Sequence, residues 1–157
     1  MSKSVAKKVE EVQEPQHIEP EILTGSGIFM FPTGGKYEGE WKSIGGIKYR
    51  DGVGTFTYGP EEYQGSWKND LMHGEGRYQF SSGACYTGSF VHNSFEGKGE
   101  YIFPDGAKYE GNWLAGRMHG EGEYKDADGV SWKGNFFNGM YDSGRSYLSL
   151  RPSKSLV

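Results

Sequence analysis

A chain of 157 residues is long enough for one compact domain, but 34% hydrophobic residues, 15% aromatic residues and 26 glycines exclude an ordinary thick aliphatic core. A formal charge of −4 argues against a general attraction to nucleic acid or to anionic lipid.

Residues 1–24 mix Lys3, Lys7 and Lys8 with Glu10, Glu11, Glu14, Glu19 and Glu21, interrupted by Pro15 and Pro20. That is the composition of a disordered tail, although Val5, Val9 and Val12 would share one side of a helix able to dock on a partner. Ser2 stands where myristoylation needs glycine, no signal-peptide stretch opens the sequence, and no run of about 18 apolar residues follows. The single cysteine, Cys85, has no thiol in the chain to pair with. A soluble, cytoplasmic protein is the expectation.

From residue 25 a repeat takes over. Units open on Tyr37, Tyr63, Tyr86, Tyr109 and Trp132, separated by 26, 23, 23 and 23 residues. Two positions later stands a glycine (Gly39, Gly65, Gly88, Gly111, Gly134), and two further another ring (Trp41, Trp67, Phe90, Trp113, Phe136). A second half reads Gly-x-Gly-x-aromatic: Gly52/Gly54/Phe56, Gly74/Gly76/Tyr78, Gly97/Gly99/Tyr101 and Gly120/Gly122/Tyr124. A lone half, Gly25/Gly27/Phe29, precedes the first complete unit. The array thus spans 25–150: a half repeat at 25–36, repeats from 37, 63, 86 and 109, and a degenerate cap from 132, with 151–157 as a C-terminal tail.

The alternation within each half is the period-two pattern of a strand with one distinctive face. Turn residues lie between halves, among them Pro104-Asp105-Gly106 and Ser82-Gly83 on one side, Asn69-Asp70 and Asn138-Gly139 on the other. Each unit is therefore a hairpin, and the fold class is all-β: an elongated, single-layer antiparallel sheet of about ten or eleven strands, ~10 Å per repeat, with a disordered or partly helical N-terminal tail. Rings and glycines fall on one face and polar residues such as Glu38, Gln64 and Asn112 on the other. So many rings on one uncovered face are expected to form a bare aromatic furrow, and a large apolar patch usually marks an interaction site.

Departures from the repeat point the same way. The first unit carries a longer loop, residues 43–50, whose Ile44, Ile47 and Tyr49 have no counterpart elsewhere. Met72, Phe95, Met118 and Tyr141 form an apolar column expected to cover Trp67, Phe90, Trp113 and Phe136. Ser143 replaces a glycine and Asp126 a furrow aromatic, as in a terminal cap, and Pro152 discourages further pairing.

The runs YEGEWK from Tyr37, HGEGRY from His73 and YEGNWLAGRMHGEGEY from Tyr109 resemble the membrane occupation and recognition nexus, or MORN, repeat family. The resemblance implies tandem β-hairpins that scaffold cytoskeletal, junctional or ciliary assemblies, and the stretch from Met72 onward points further to a cilium or flagellum and to spermatogenesis.

Catalytic readings are weak. His73 and His119 share a column two repeats apart, ~19 Å by strand spacing, too far to share a metal. The Gly-x-Gly pairs open no helix, as a phosphate-binding turn requires, and no nucleophile elbow or Cys/His cluster exists. The expectation is a non-enzyme without cofactor or metal: a scaffold binding a protein partner as an extended segment, a helix or a second copy. Its binding residues would be Tyr37, Trp41, Tyr63, Trp67, Tyr78, Tyr86, Phe90, Tyr101, Tyr109, Trp113, Tyr124 and Trp132 in the furrow, and Ile44, Ile47 and Tyr49 in the loop. A homodimer fits that reading. Peripheral association with acidic phospholipids is the alternative, disfavoured by the lack of a basic stripe. The closing Lys154-Ser155-Leu156-Val157 also has the pattern of a ligand for PDZ domains.

Overall fold

A computed structural model describes residues 20–151. The helix side of Val5, Val9 and Val12, the edge role of Pro152 and the C-terminal Ser-Leu-Val pattern lie outside the described residues. The strands are β1 Ile22–Met30, β2 Lys36–Ile44, β3 Ile47–Tyr58, β4 Glu61–Lys68, β5 Leu71–Gln79, β6 Cys85–Val91, β7 Ser94–Ile102, β8 Lys108–Leu114, β9 Arg117–Lys125, β10 Ser131–Phe137, β11 Met140–Asp142 and β12 Tyr147–Leu148. They form one antiparallel sheet in which spatial order equals chain order. The sheet begins inside the segment expected to be tail, at Ile22, and has twelve strands because Tyr147–Leu148 folds back on Met140–Asp142 beyond the degenerate cap.

Two kinds of connection alternate. On one side Asn69-Asp70, His92-Asn93, Ala115-Gly116 and Asn138-Gly139 hold both central φ angles positive, as the two-residue turn that matches strand twist requires. On the other side Phe31, Phe80, Phe103 and Asp126 each donate a backbone N–H to the carbonyl four residues on. Asp126 replaces a ring with a carboxylate that accepts from the N–H groups of Asp128 and Val130, so side-chain hydrogen bonds stand there in place of the ring packing of the other three turns.

The 43–50 segment is a correction. It is no loop: Lys42 pairs with Tyr49, Ser43 with Lys48 and Ile44 with Ile47 around a Gly45-Gly46 turn. The inserted residues divide equally between two arms, so the hairpin lengthens and its register survives.

Each repeat hairpin contains a bulge. Gly65 pairs with Gly76 and Trp67 with Met72, so Ser66 alone opposes His73, Gly74 and Glu75; the same shift recurs after Gly39, Gly88 and Gly111. The first glycine of each Gly-x-Gly pair takes the positive φ of this bulge (Gly74, φ 71), and the second lies beneath a tyrosine ring. Only the second therefore makes room for a ring. Bulges bend and twist the strands that carry them, and the rings of successive units converge on the bent face.

That convergence overturns the expectation of a bare furrow. Tyr37, Tyr63, Tyr86 and Tyr109 are at most 1% exposed, and Trp67, Phe90, Tyr101, Trp113, Tyr124 and Phe136 at most 5%. Among the described residues no second layer covers them; they cover one another. Trp67 sits edge-on between Tyr37 (5.5 Å) and Tyr63 (5.0 Å), Phe90 between Tyr63 and Tyr86 (5.1 Å each), and Trp113 between Tyr86 (5.4 Å) and Tyr109 (5.2 Å). Phe136 closes on Tyr109 at 4.9 Å. The result is a continuous edge-to-face chain of rings, each contact adding about 0.5–1.5 kcal/mol beyond buried area.

Polar tips are satisfied in the same periodic way. Each tyrosine hydroxyl donates to the carbonyl of its own bulge: Tyr37 to Glu40, Tyr63 to Ser66, Tyr86 to Ser89 and Tyr109 to Asn112, at 2.6–3.0 Å. The indoles of Trp67 and Trp113 donate to Gly54 and Gly99. The Met72 column pairs with the second rings as expected, and Phe95 further stacks on Tyr86 at 3.8 Å between centroids.

Candidate functional site

The ring chain has two ends, and they differ. At the C-terminal end the backbone after β12 returns over the ring face: Leu150 packs on the core and the Arg151 guanidinium lies 3.8 Å from the Phe103 ring centroid. Arg151 is fixed there by Asp105, with Nη2 2.9 Å from a carboxylate oxygen, and by the Tyr124 hydroxyl at 3.2 Å. The hydrogen bond from Arg151, reinforced by the Ala107 N–H, holds the Asp105 carboxyl below the usual carboxylate range. Arg151, expected in a tail, is thus a clamp on the ring face.

Among the described residues the N-terminal end is open. Trp41 occupies the column of Trp67 and Trp113, but no tyrosine of an earlier unit exists to close on it, and it is only half-buried. Beside it lies a cavity of about 230 Å³ lined by Phe29, Phe31, Tyr37, Trp41, Lys48 and Arg50, among others. Lys48 holds its ammonium 4.1 Å from the Trp41 ring centroid and 5.4 Å from that of Phe29. No carboxylate among the described residues pairs with it, whereas Lys36, Lys42 and Arg50 are all in ion pairs.

Arg50 is the local departure from the repeat. It lies opposite Trp41, where the other units place Met72, Phe95, Met118 or Tyr141. Its guanidinium covers the Trp67 ring at 4.1 Å, and it is anchored on Asp70 through Nε at 3.1 Å and on the Asp70 carbonyl at 2.9 Å. A cation on an aromatic face is worth about 0.5–2 kcal/mol, and here it gives the cavity a charged wall where other units are apolar.

Of the furrow residues singled out in the sequence, Tyr37, Tyr63, Trp67, Tyr86, Phe90, Tyr101, Tyr109, Trp113 and Tyr124 are buried as core. Trp41, Tyr78 and Trp132 are half-buried. Of the hairpin residues, Ile47 is 60% exposed and Ile44 and Tyr49 are half-buried. The structure brings Trp41 and Tyr49 together at the cavity and leaves Tyr78 and Trp132 on other strands. Phe29, Lys48 and Arg50 were not among the binding residues expected from the sequence; the four residues inserted between Trp41 and Gly52 hide that Arg50 belongs to the Met72 column.

The buried phenols offer no acid or base near neutrality. Burial first, then the Glu75 charge, pushes the Tyr63 hydroxyl up to about 12, and burial pushes Tyr109 to about 12. The column of His73 and His119 is occupied elsewhere by Asp51 and Glu96, which accept the N–H of Asn69 and Ala115 in the turn of the next hairpin. At Asp51 and Glu96 the column staples adjacent turns, whereas Nδ1 of His73 and His119 is buried without a hydrogen-bond partner.

A family model described as the MORN repeat matches residues 63–85, 86–108 and 109–131. A search of curated proteins returns no match. Outside the matched segment the hairpin from Tyr37 keeps the glycine-opposite-glycine register, Gly39 facing Gly54, and the hairpin from Trp132 keeps the ring pairing of Phe136 with Tyr141.

Proposed function

Because residues 63–131 are three tandem MORN repeats, we propose that this chain is a non-catalytic scaffold that receives a protein segment at the open N-terminal end of its ring face. MORN repeats are generally modules of protein or membrane interaction, and the repeat is non-enzymatic. The receiving surface is Phe29, Trp41, Lys48 and Arg50, with Ile44, Ile47 and Tyr49 as its rim. An apolar or aromatic side chain fills the cavity, and a neighbouring carboxylate meets Lys48. The setting is a cytoplasmic cytoskeletal or ciliary assembly, as the family resemblance implies.

One observation carries this reading: Trp41 is half-buried while its equivalents Trp67 and Trp113 are 5% and 2% exposed. The test is recovery of partners from extracts of ciliated cells by the full chain and by Trp41→Ala. The variant keeps the sheet intact by circular dichroism and loses the partners; undiminished recovery refutes the site. Strong pelleting of the unmodified chain with acidic liposomes at physiological salt, abolished by Trp41→Ala, would replace the protein partner with a membrane.

A further inference from the structure

The two edges of the sheet are unequal. β12 is two residues long, whereas β1 runs for nine, and among the described residues only β2 pairs with it. β1 reads ILTGSGIFM, with no charge and no proline, the devices that ordinarily guard an edge against pairing. Ile22, Leu23, Ile28 and Met30 on it are all more than half exposed.

Its backbone parity is fixed. The Phe31 N–H donates to the Gly35 carbonyl at 2.8 Å, on the β2 side. By antiparallel alternation the odd residues of β1 bond to β2, and Ile22, Thr24, Ser26, Ile28 and Met30 aim their N–H and C=O groups outward.

We propose that β1 pairs with β1 of a second copy, antiparallel about a two-fold axis through Ser26. In that register Ser26 faces its own counterpart, Thr24 faces Ile28, and Ile22 faces Met30 on the outer side. On the ring side Leu23 faces Phe29 and Gly25 faces Gly27. The choice of occupant rests on three points. Glycine opposite glycine continues the row that already crosses the sheet from Gly27 through Gly39, Gly54, Gly65 and onward to Gly134. The most exposed apolar side chains of the strand, Ile22 and Met30, cover one another. A head-to-tail contact of β1 on β12 would leave most of β1 unpaired, since β12 offers two residues, so the closed isologous arrangement wins over a fibre.

The axis stands perpendicular to the sheet, so both ring faces look the same way. The open ends bearing Trp41 and Lys48 then adjoin a common seam about 30 Å long. Glu21, just ahead of each β1, falls at opposite ends of that seam and meets no like charge. The pairing shares Phe29 and Met30 with the rim of the proposed partner site but rests on the β1 backbone edge, so Ser26→Pro tests the pairing and Trp41→Ala tests the partner site.

The register is tested in the full chain by Ser26→Cys and Thr24→Cys under mild oxidation. Facing residues of a hydrogen-bonded pair stand about 5.5 Å apart between Cα atoms, within disulfide reach; Thr24 and its counterpart are ~13 Å apart. Cys85 is buried and does not compete. Ser26→Cys forms a covalent dimer and Thr24→Cys does not; cross-linking of both alike, or of neither, overturns the proposal. In sedimentation the unmodified chain runs at twice its 17.5 kDa mass, and Ser26→Pro, which removes an outward N–H that an edge strand can spare, returns it to monomer mass with its circular dichroism unchanged. A monomer throughout the micromolar to millimolar range, or a dimer indifferent to Ser26→Pro, refutes it equally.

Discussion

Gly76→Ala tests the central packing claim, that a tyrosine ring rests on the backbone of the neighbouring strand. A Cβ at Gly76 would stand 2.5 Å from the Tyr63 hydroxyl oxygen, 2.6 Å from Cε2 and 2.7 Å from Cζ. The ring cannot retreat: Tyr63 is 1% exposed, with Trp67 at 5.0 Å and Phe90 at 5.1 Å, and its hydroxyl is bonded to Ser66 at 2.8 Å. Overpacking costs about 1–3 kcal/mol, and a buried hydroxyl or carbonyl left unpaired by a displaced ring adds about 1–3 kcal/mol. Alanine's smaller loss of chain entropy returns about 0.5–1 kcal/mol, so the net destabilisation is about 3 kcal/mol. Gly83→Ala is the reference, because Gly83 has a φ of +88 and no atom within 4 Å of an added Cβ; it costs only the backbone strain of about 1–2 kcal/mol. Urea denaturation followed by circular dichroism ranks them, with Gly122→Ala beneath Tyr109 behaving as Gly76→Ala does. A Gly76→Ala no worse than Gly83→Ala would refute the reasoning, since no steric term would then exist.

Three further outcomes are expected. Trp113→Ala costs about 3–5 kcal/mol, as deletion of a buried ring should, while Trp41→Ala costs about 1 kcal/mol; equal losses in thermal or urea unfolding would mean the N-terminal end is as sealed as the middle. Tyr63 and Tyr109 have folded-state hydroxyls raised to about 12 from 10, so the fold favours the neutral phenol: their stabilisation is complete below about pH 10 and is lost as pH rises toward 12. Tyrosinate absorbance and loss of sheet signal should therefore rise together, and ionisation of these rings in an intact sheet would contradict their burial. Arg151→Ala removes the guanidinium from Phe103, worth about 1 kcal/mol, and should raise amide exchange across 103–107 with a small fall in melting temperature; unchanged exchange there would show that the clamp is idle.

Much of the fold was legible in the sequence because the repeat states it many times. The Tyr63–Gly65–Trp67 and Gly74–Gly76–Tyr78 columns fix strand phase, and Asn69-Asp70 and Asn138-Gly139 fix tight turns. Ring burial was not legible: it depends on the bulge opposite Ser66, which the columns record only as a spacing, and on a bend that brings Trp67 against a tyrosine of the preceding unit. The site was hidden by the insertion that moves Arg50 out of column, and by Lys48, whose position over Trp41 follows from a cross-strand pairing that looked like loop. Arg151 reaches Asp105 across strands that separate them widely in sequence, and no local pattern announces such a return.

Since spatial order equals chain order, every joint between strands links neighbours in sequence, and among the described residues no strand crossover ties one end to the other. Copying or deleting one 23-residue unit ahead of Phe103 would shift all that precedes it by a single step of about 10 Å while every remaining strand joint, and the Arg151 contact beyond, stays as it was. The reach of such a molecule is therefore a quantity that duplication can count out in whole numbers, with only the finishing pieces at either extremity needing to be kept.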